Sequence, residues 1–352
     1  MSTTTTDLQR RRLRAQLLTA PTATDPVDVV ERIAAVQAQD PRGFRLAVRS
    51  RSTGVTAYDV EQRLADRSLV VDWLNRGTLH LVRSVDHGWL HQLTAPRRAN
   101  DHRRRLEQEG VTPAQAELGV EVVESALHVE GPLTRDELRS RLDDAGVPTA
   151  RQALVHVLGW ASMHGVCVRG PVVRGSHAFV HTVDWLGTHH EVDRDEALRR
   201  LASRYLAGHG PATDRDLATW SGLPLSDVRR GLALADDAVS HDGVWWLDGD
   251  DAPADDVPTP RLLGAFDPVL HGWASREHTL RGHEVGVVTS NGIFRPIALV
   301  DGRAVATWGY AAGRVTVTSL PGERLSTTVT AALDAEAAAV VAFLSTAGPD
   351  AD

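Results

Sequence analysis

The chain is 352 residues long and 42% hydrophobic, enough to bury a sizeable core in roughly two or three domains. Its one cysteine, Cys167, excludes an internal disulfide and gives no reason to invoke an oxidising compartment. The net charge of −8 argues at first sight against a nucleic-acid partner, yet the charge is segregated: residues 1–105 hold 18 Arg against 11 acidic residues, whereas residues 106–352 hold 20 Arg against 35. Local field rather than net charge guides a polyanion, so a basic binding face remains open to an acidic protein. All 38 basic residues are Arg, as a GC-rich coding bias would produce. The N-terminus lacks the apolar region and cleavage site of a signal peptide, and no apolar run is long enough to span a bilayer, so a cytoplasmic location is expected.

In chain order, a first helix is expected over "DLQRRRLRAQLL" and a second from Asp25, with Pro26 in its first turn. The second continues through "AAVQAQ" and stops near Gln39, because Asp40 precedes Pro41 and a residue before proline is pushed out of the α region. A third helix covers "TAYDVEQRLADR". The β-prone runs of "LVVDWLNRGTLHLV" then form a wing hairpin around Asn75, Arg76 and Gly77.

The chain then repeats itself. "GPLTRDEL" at Gly131–Leu138 returns as "GPATDRDL" at Gly210–Leu217, an offset of 79 residues, with Thr134 and Thr213 where a helix N-cap belongs. In both copies a helix precedes the repeat, another follows it, and a β-prone hairpin closes the unit, the winged variant of the helix-turn-helix. Beyond an Asp/Pro-rich linker at about 249–260, a β-rich stretch from "GHEVGVVTSNG" onward carries tight turns at Asn291-Gly292 and Asp301-Gly302, and a helix over about 326–344 ends the chain. The expected fold is therefore α+β: winged-helix units at residues 1–110, 111–192 and 193–257, then a β-rich segment with a closing helix at 258–352.

Winged helices are usually nucleic-acid readers, although fold alone does not decide function. On a continuous helix Gln37 and Gln39 would point about 200° apart, so they can share a site only where the helix has ended. Taken alone, the pair reads as polar caps of a solvated helix end rather than as a site. The grouping of His177, His181, His189 and His190 lacks metal-binding spacing, and one cysteine cannot build a zinc ribbon, so no metal is expected. Nothing asks for a cofactor. With no lysine, a Lys-based lyase mechanism is excluded.

The segments "VQAQDPRG", "WLNRGTLHLV", "GPATDRDLATWSGL", "LLGAFDPVLHGW" and "NGIFRPIALVDGRAVATW" resemble, in order and spacing, the AlkZ/YcaQ-like tandem winged-helix DNA glycosylases. That resemblance covers nearly the whole chain. It implies excision of alkylated bases, chiefly N7-alkylated purines, and in some members unhooking of interstrand crosslinks or protection of an antibiotic producer. The family signature of Gln, an apolar residue and Gln falls on Gln37-Ala38-Gln39, which makes these two glutamines the implied catalytic pair. An N7-alkylated purine is already cationic and leaves as a neutral base, so an acid is unnecessary, and amides can position the water and face the sugar cation. His80 matches a position where the family often carries His, and Asp267 lies in a recurring segment where it serves equally as a turn-forming residue. Phosphate contacts are expected from Arg42, Arg45, Arg49, Arg51, Arg76, Arg97, Arg98 and Arg103. The expected partner is double-stranded DNA containing alkylated purines, bound by a monomer. The competing reading is a non-enzymatic winged-helix DNA-binding protein, a regulator or lesion sensor, although Arg229 and Arg230 of the third unit stand among Asp214, Asp216 and Asp227.

Overall fold

A computed structural model describes residues 5–250 and 258–346, so most of the Asp/Pro-rich linker expected at 249–260 lies outside the described residues. By contacts the chain divides into two compact units, one formed by residues up to Val60 together with those from Asp195 on, the other by Glu61–Arg194.

The first helices are α1 (Thr5–Ala15) and α2 (Pro26–Ile33), the latter capped by the Asp25 carboxylate, which accepts from Val27 N–H at 2.8 Å. Helix α2 ends six residues before Gln39, earlier than expected. Ala34 adopts φ 66° and ψ −45°, and Ala35 N–H bonds back to Ile33 C=O at 2.9 Å, a γ-turn that throws the chain out of the helix. The short strand β1 (Val36–Gln37) follows, and then a helix the sequence reading missed, α3 (Pro41–Arg49). Its start is locally dictated: Asp40 is extended, its carboxylate accepts from Gly43 N–H at 2.5 Å, and Pro41 takes the first position. Helix α4 (Ala57–Ala65) leads to the first wing, β2 (Leu69–Trp73) and β3 (Leu79–Arg83), joined through Asn75–Gly77 with Arg76 at φ 57°.

The unit that contains this wing continues with α5 (Ser84–Thr94), α6 (Ala99–Gln108), α7 (Pro113–Glu130), α8 (Arg135–Asp144) and α9 (Ala153–Met163). A second wing, β4 (Cys167–Val173) and β5 (Ser176–His181), runs into the short α10 (Thr182–Leu186). Antiparallel pairing of Val71 with Arg169 joins the two wings, so β3, β2, β4 and β5 lie side by side in one sheet. Helix α9 is the central stave. It buries Leu154, Val157, Leu158, Trp160 and Ala161 and packs on α6, α7 and β4.

The third module comprises α11 (Arg194–His209), β6 (Ala212–Thr213), α12 (Asp214–Ser221), α13 (Leu225–Leu234) and the wing β7 (Ala238–His241) and β8 (Val244–Leu247). Thr134 and Thr213 cap α8 and α12 through reciprocal bonds with Glu137 and Asp216, as the repeat predicts. The three winged-helix modules follow one another in tandem.

Next come β9 (Arg261–Leu263), the single turns α14 (Glu277–Leu280) and α15 (Glu284–Val287), and a meander of β10 (Ile297–Val300), β11 (Arg303–Ala311) and β12 (Arg314–Ser319). Strand order is β12-β11-β10-β9. "GHEVGVV" was expected as strand and instead supplies α15. Asn291-Gly292 closes a small loop, with Gly292 N–H bonded to Thr289 C=O at 2.9 Å, and only Asp301-Gly302 joins two strands of the sheet. The closing helix α16 (Thr327–Ser345) packs Leu333, Val340 and Phe343 against this sheet and Leu46 of α3. By length and composition α16 alone among the described residues could cross a membrane, a correction to the expectation that no such run exists. Its buried Glu336, however, accepts both nitrogens of Arg49 at 2.9 Å and ties it to α3.

Candidate active site

From the γ-turn at Ala34 to the cap at Asp40 the chain makes no helical turn. In extended backbone, residues two apart point to the same side, which permits the convergence of Gln37 and Gln39 that a helix would forbid. Gln37 is 7% exposed, whereas Gln39 is exposed to solvent. One amide is thus anchored by its surroundings and the other faces outward.

A second segment crosses this one. Gly264, Ala265 and Phe266 pass so close to the start of α3 that a Cβ on Gly43 would lie 2.3 Å from the Ala265 carbonyl oxygen, and one on Gly264 would lie 2.9 Å from Gly43 Cα. Two of the segments singled out in the sequence, "VQAQDPRG" and "LLGAFDPVLHGW", therefore meet backbone to backbone. Just beyond the crossing, Phe266 stacks on His271 with centroids 6.0 Å apart, and His271 packs on Phe294 at 4.1 Å, with the Arg276 guanidinium 4.9 Å from the Phe294 centroid. This aromatic group was missed in the sequence, where only the positive φ of Phe266 at 57° marks anything unusual, and that is visible only in the fold.

Of the residues expected to touch DNA, Arg45, Arg51 and His80 are buried and Arg49 is largely covered. Arg51 is 0% exposed; its guanidinium pairs bidentately with Asp267 at 2.9 and 2.7 Å and also donates to Gln16 Oε1 at 2.8 Å and Ala47 C=O at 3.0 Å. Asp267 is thereby structural. Arg49 is held by Glu336, and Arg45 is 4% exposed, bonded to Pro41 C=O at 2.8 Å with its guanidinium over Phe44. His80 is 1% exposed and donates Nδ1–H to Thr78 C=O at 2.9 Å; burial, reinforced by Arg76, pushes its pKa down to about 3. It is a neutral strand histidine.

The remaining arginines sit at the surface. Arg76 occupies the tip of the first wing, and the Arg98 side chain lies over the neighbouring Gly77, whose Cβ position would be 3.4 Å from Arg98 Cγ. Arg97 and Arg103 are exposed, Arg103 reaching over Trp160 at 5.8 Å from its centroid, while Arg98 pairs with Asp101 at 3.0 Å. Arg42 is exposed on α3, 5.7 Å from the Tyr310 centroid. In the third module Arg229 pairs with Asp214 at 2.7 Å and Arg230 with Asp195 at 2.5 Å. Those ion pairs occupy the cations of α13 that a groove-reading regulator would need.

The family profile described as "DNA glycosylase AlkZ-like" matches residues 30–343. A curated relative, the "Interstrand DNA cross-link repair glycosylase" of Streptomyces sahachiroi, is 29% identical over 348 residues, covering 89% of this chain and 90% of its own length. The solved structure of the Streptomyces sahachiroi DNA glycosylase AlkZ is similar with a TM-score of 0.80 at 28% identity, over 98% of this chain and 97% of that one.

Proposed function

This chain belongs to the AlkZ-like DNA glycosylases, and on that premise we propose that it hydrolyses the N-glycosidic bond of cationic N7-alkylated purines in duplex DNA, with Gln37 and Gln39 as its catalytic pair. The observation that carries the assignment is the non-helical stretch between Ala34 and Asp40, with strand at Val36–Gln37, which frees the two amides from the opposed directions a continuous helix would force on them.

The chemistry asked of them is modest. A cationic purine leaves as a neutral base, so the usual proton donor of glycoside hydrolysis has no task. A water oxygen bonds to C1′, the electron pair of the breaking bond moves onto N9 and cancels the purine charge, and the released proton goes to solvent. The amide oxygens accept from that water and face the positive sugar, while the amide N–H groups donate to phosphate or sugar oxygens. Gln37, buried, suits the positioning part; Gln39, exposed, suits contact with the nucleotide.

The half-buried rings of Phe266 and His271 suit stacking against a base or a bulky adduct. Arg42, Arg76, Arg97, Arg98 and Arg103 suit phosphates. Because the Streptomyces sahachiroi relative is named for interstrand cross-link repair, cross-linked DNA is the second substrate we assign. A single chain acting on cytoplasmic DNA would suffice for either.

The test is release of free N7-methylguanine from a defined duplex, repeated on a duplex carrying an N7-linked interstrand crosslink. Wild type should release the base and leave abasic sites, and Gln37→Ala or Gln39→Ala should each lose roughly a hundredfold or more. Release that survives both substitutions would remove the glutamines from the mechanism. Failure on both substrates would remove the substrate class.

A further inference from the structure

Far along the chain from the glutamines, three side chains from three elements converge at the end of the second wing. His128 stands in the last turn of α7, His181 ends β5, and Asp184 lies in the first turn of α10. His128 Nδ1 is 2.7 Å from Asp184 Oδ2, and His181 Nδ1 is 2.9 Å from the same oxygen. All three candidate ligand atoms lie within 4.8 Å of one another.

Simple hydrogen bonding accounts for only part of this. His128 makes an aligned bond to Asp184, but His181 Nδ1, buried against the sheet, has no aligned hydrogen-bond partner despite its 2.9 Å approach. Two imidazole nitrogens thus converge on one carboxylate oxygen, the donor set that a shared cation would use.

We infer that His128, His181 and Asp184 form a site for a divalent transition metal, zinc in the first instance. Two imidazoles and one carboxylate suit Zn²⁺, which takes such ligands at about 2.0–2.2 Å in a tetrahedron, so ligand atoms sit roughly 3.3 Å apart. The two histidine-to-carboxylate separations would widen from 2.7 and 2.9 Å by about half an ångström, with the two imidazole nitrogens already within 4.8 Å of each other. His128 is 65% exposed and Asp184 47%, so their side chains are at liberty to make that adjustment and leave the fourth position to water or an anion. A bound ion would staple the end of α7 to the exit of the second wing.

The test uses the untagged full chain, stripped with a chelator and titrated with Co²⁺ and then Zn²⁺. Wild type should take up one Co²⁺ with a visible d–d band of low-coordinate character, displaced by Zn²⁺, and its thermal midpoint should rise with added Zn²⁺. His128→Ala, which removes an exposed side chain, and Asp184→Asn, which keeps the volume, should each weaken uptake at least tenfold, as expected for loss of a ligand. No uptake by wild type at about millimolar metal, or uptake unchanged in both variants because other histidines of the chain supply it, overturns the site.

Discussion

Arg51 and Asp267, 216 residues apart in sequence, meet in a bidentate ion pair with both side chains 0% exposed. Burying two charges costs several kcal/mol each, and removing one partner leaves the other uncompensated. Asp267→Ala or Arg51→Ala should therefore lower the unfolding free energy by about 3–5 kcal/mol in a urea titration, while Arg51→Met with Asp267→Leu should recover much of the loss. Single variants as stable as wild type would show that water or a rearranged Gln16 satisfies the remaining charge.

The crossing at Gly43 makes a second expectation. Any side chain there meets the Ala265 carbonyl at 2.3 Å, backbone that cannot swing aside. Gly43→Ala should cost about 1–3 kcal/mol as an overpacked site does. It should also cut base release more than it cuts the folded fraction, because α3 begins two residues after Gln39 and Gly43 lies four residues after it, so a shift there is passed to the glutamine. Parallel measurement of release rate and urea midpoint checks both halves; an unperturbed midpoint would mean the two segments are less tightly apposed.

Acid should unfold this protein early. Burial, stronger in each case than any neighbouring charge, pushes His80 down to about 3 and His102 and His278 down to about 4. In the unfolded chain each takes its proton near 6.5, so between about 6.5 and 4 the unfolded state binds more protons and stability rises with pH. Each group removes up to about 1.4 kcal/mol per pH unit as the pH falls through that window. Urea midpoints at pH 7, 6 and 5 should decline steadily, and His80→Asn should flatten the slope if its fold is kept. A midpoint that is level over this range would contradict neutral burial.

Surface and buried arginines should separate cleanly. Under the proposed DNA contacts, Arg97→Ala, Arg98→Ala and Arg103→Ala together should lower the dependence of log affinity on log salt by up to about three, roughly one per lost phosphate contact, with little change in thermal midpoint. Arg49→Ala should do the reverse, because its loss removes the bidentate partner of buried Glu336 on α16 and leaves the carboxylate to the Leu262 N–H and the more distant Arg261. Fluorescence anisotropy at several salt concentrations reads the first effect and a melting curve the second. An unchanged salt slope in the triple variant would place DNA elsewhere.

What could be read from the sequence was what is locally encoded. Thr134 and Thr213 cap their helices through groups three residues away, and the β-branched runs at 69–73 and 79–83 flank a tip that contains glycine. Helix α3 was missed because Pro41 was read as ending one helix, when with Asp40 before it proline also begins one. The γ-turn at Ala34 has no local signal, since "AAVQAQ" is composed of good helix formers and tertiary packing overrides them. The clustered arginines looked alike for another reason: the partners that bury Arg49 and Arg51 lie 287 and 216 residues away, and charge density says nothing of distant carboxylates. His128 and His181 likewise meet only once α7 and β5 are folded together.

The single rung between Val71 and Arg169 makes the first two modules inseparable in a practical sense. A fragment ending near residue 110 would keep β2 but lose β4, and so uncover the flank of a strand reading Leu69, Val70, Val71, all fully interior in the intact protein. Bare apolar flanks of this kind recruit other copies. The wings are therefore not interchangeable beads on a string: whoever dissects this protein into parts should expect precipitate from a piece that ends between them.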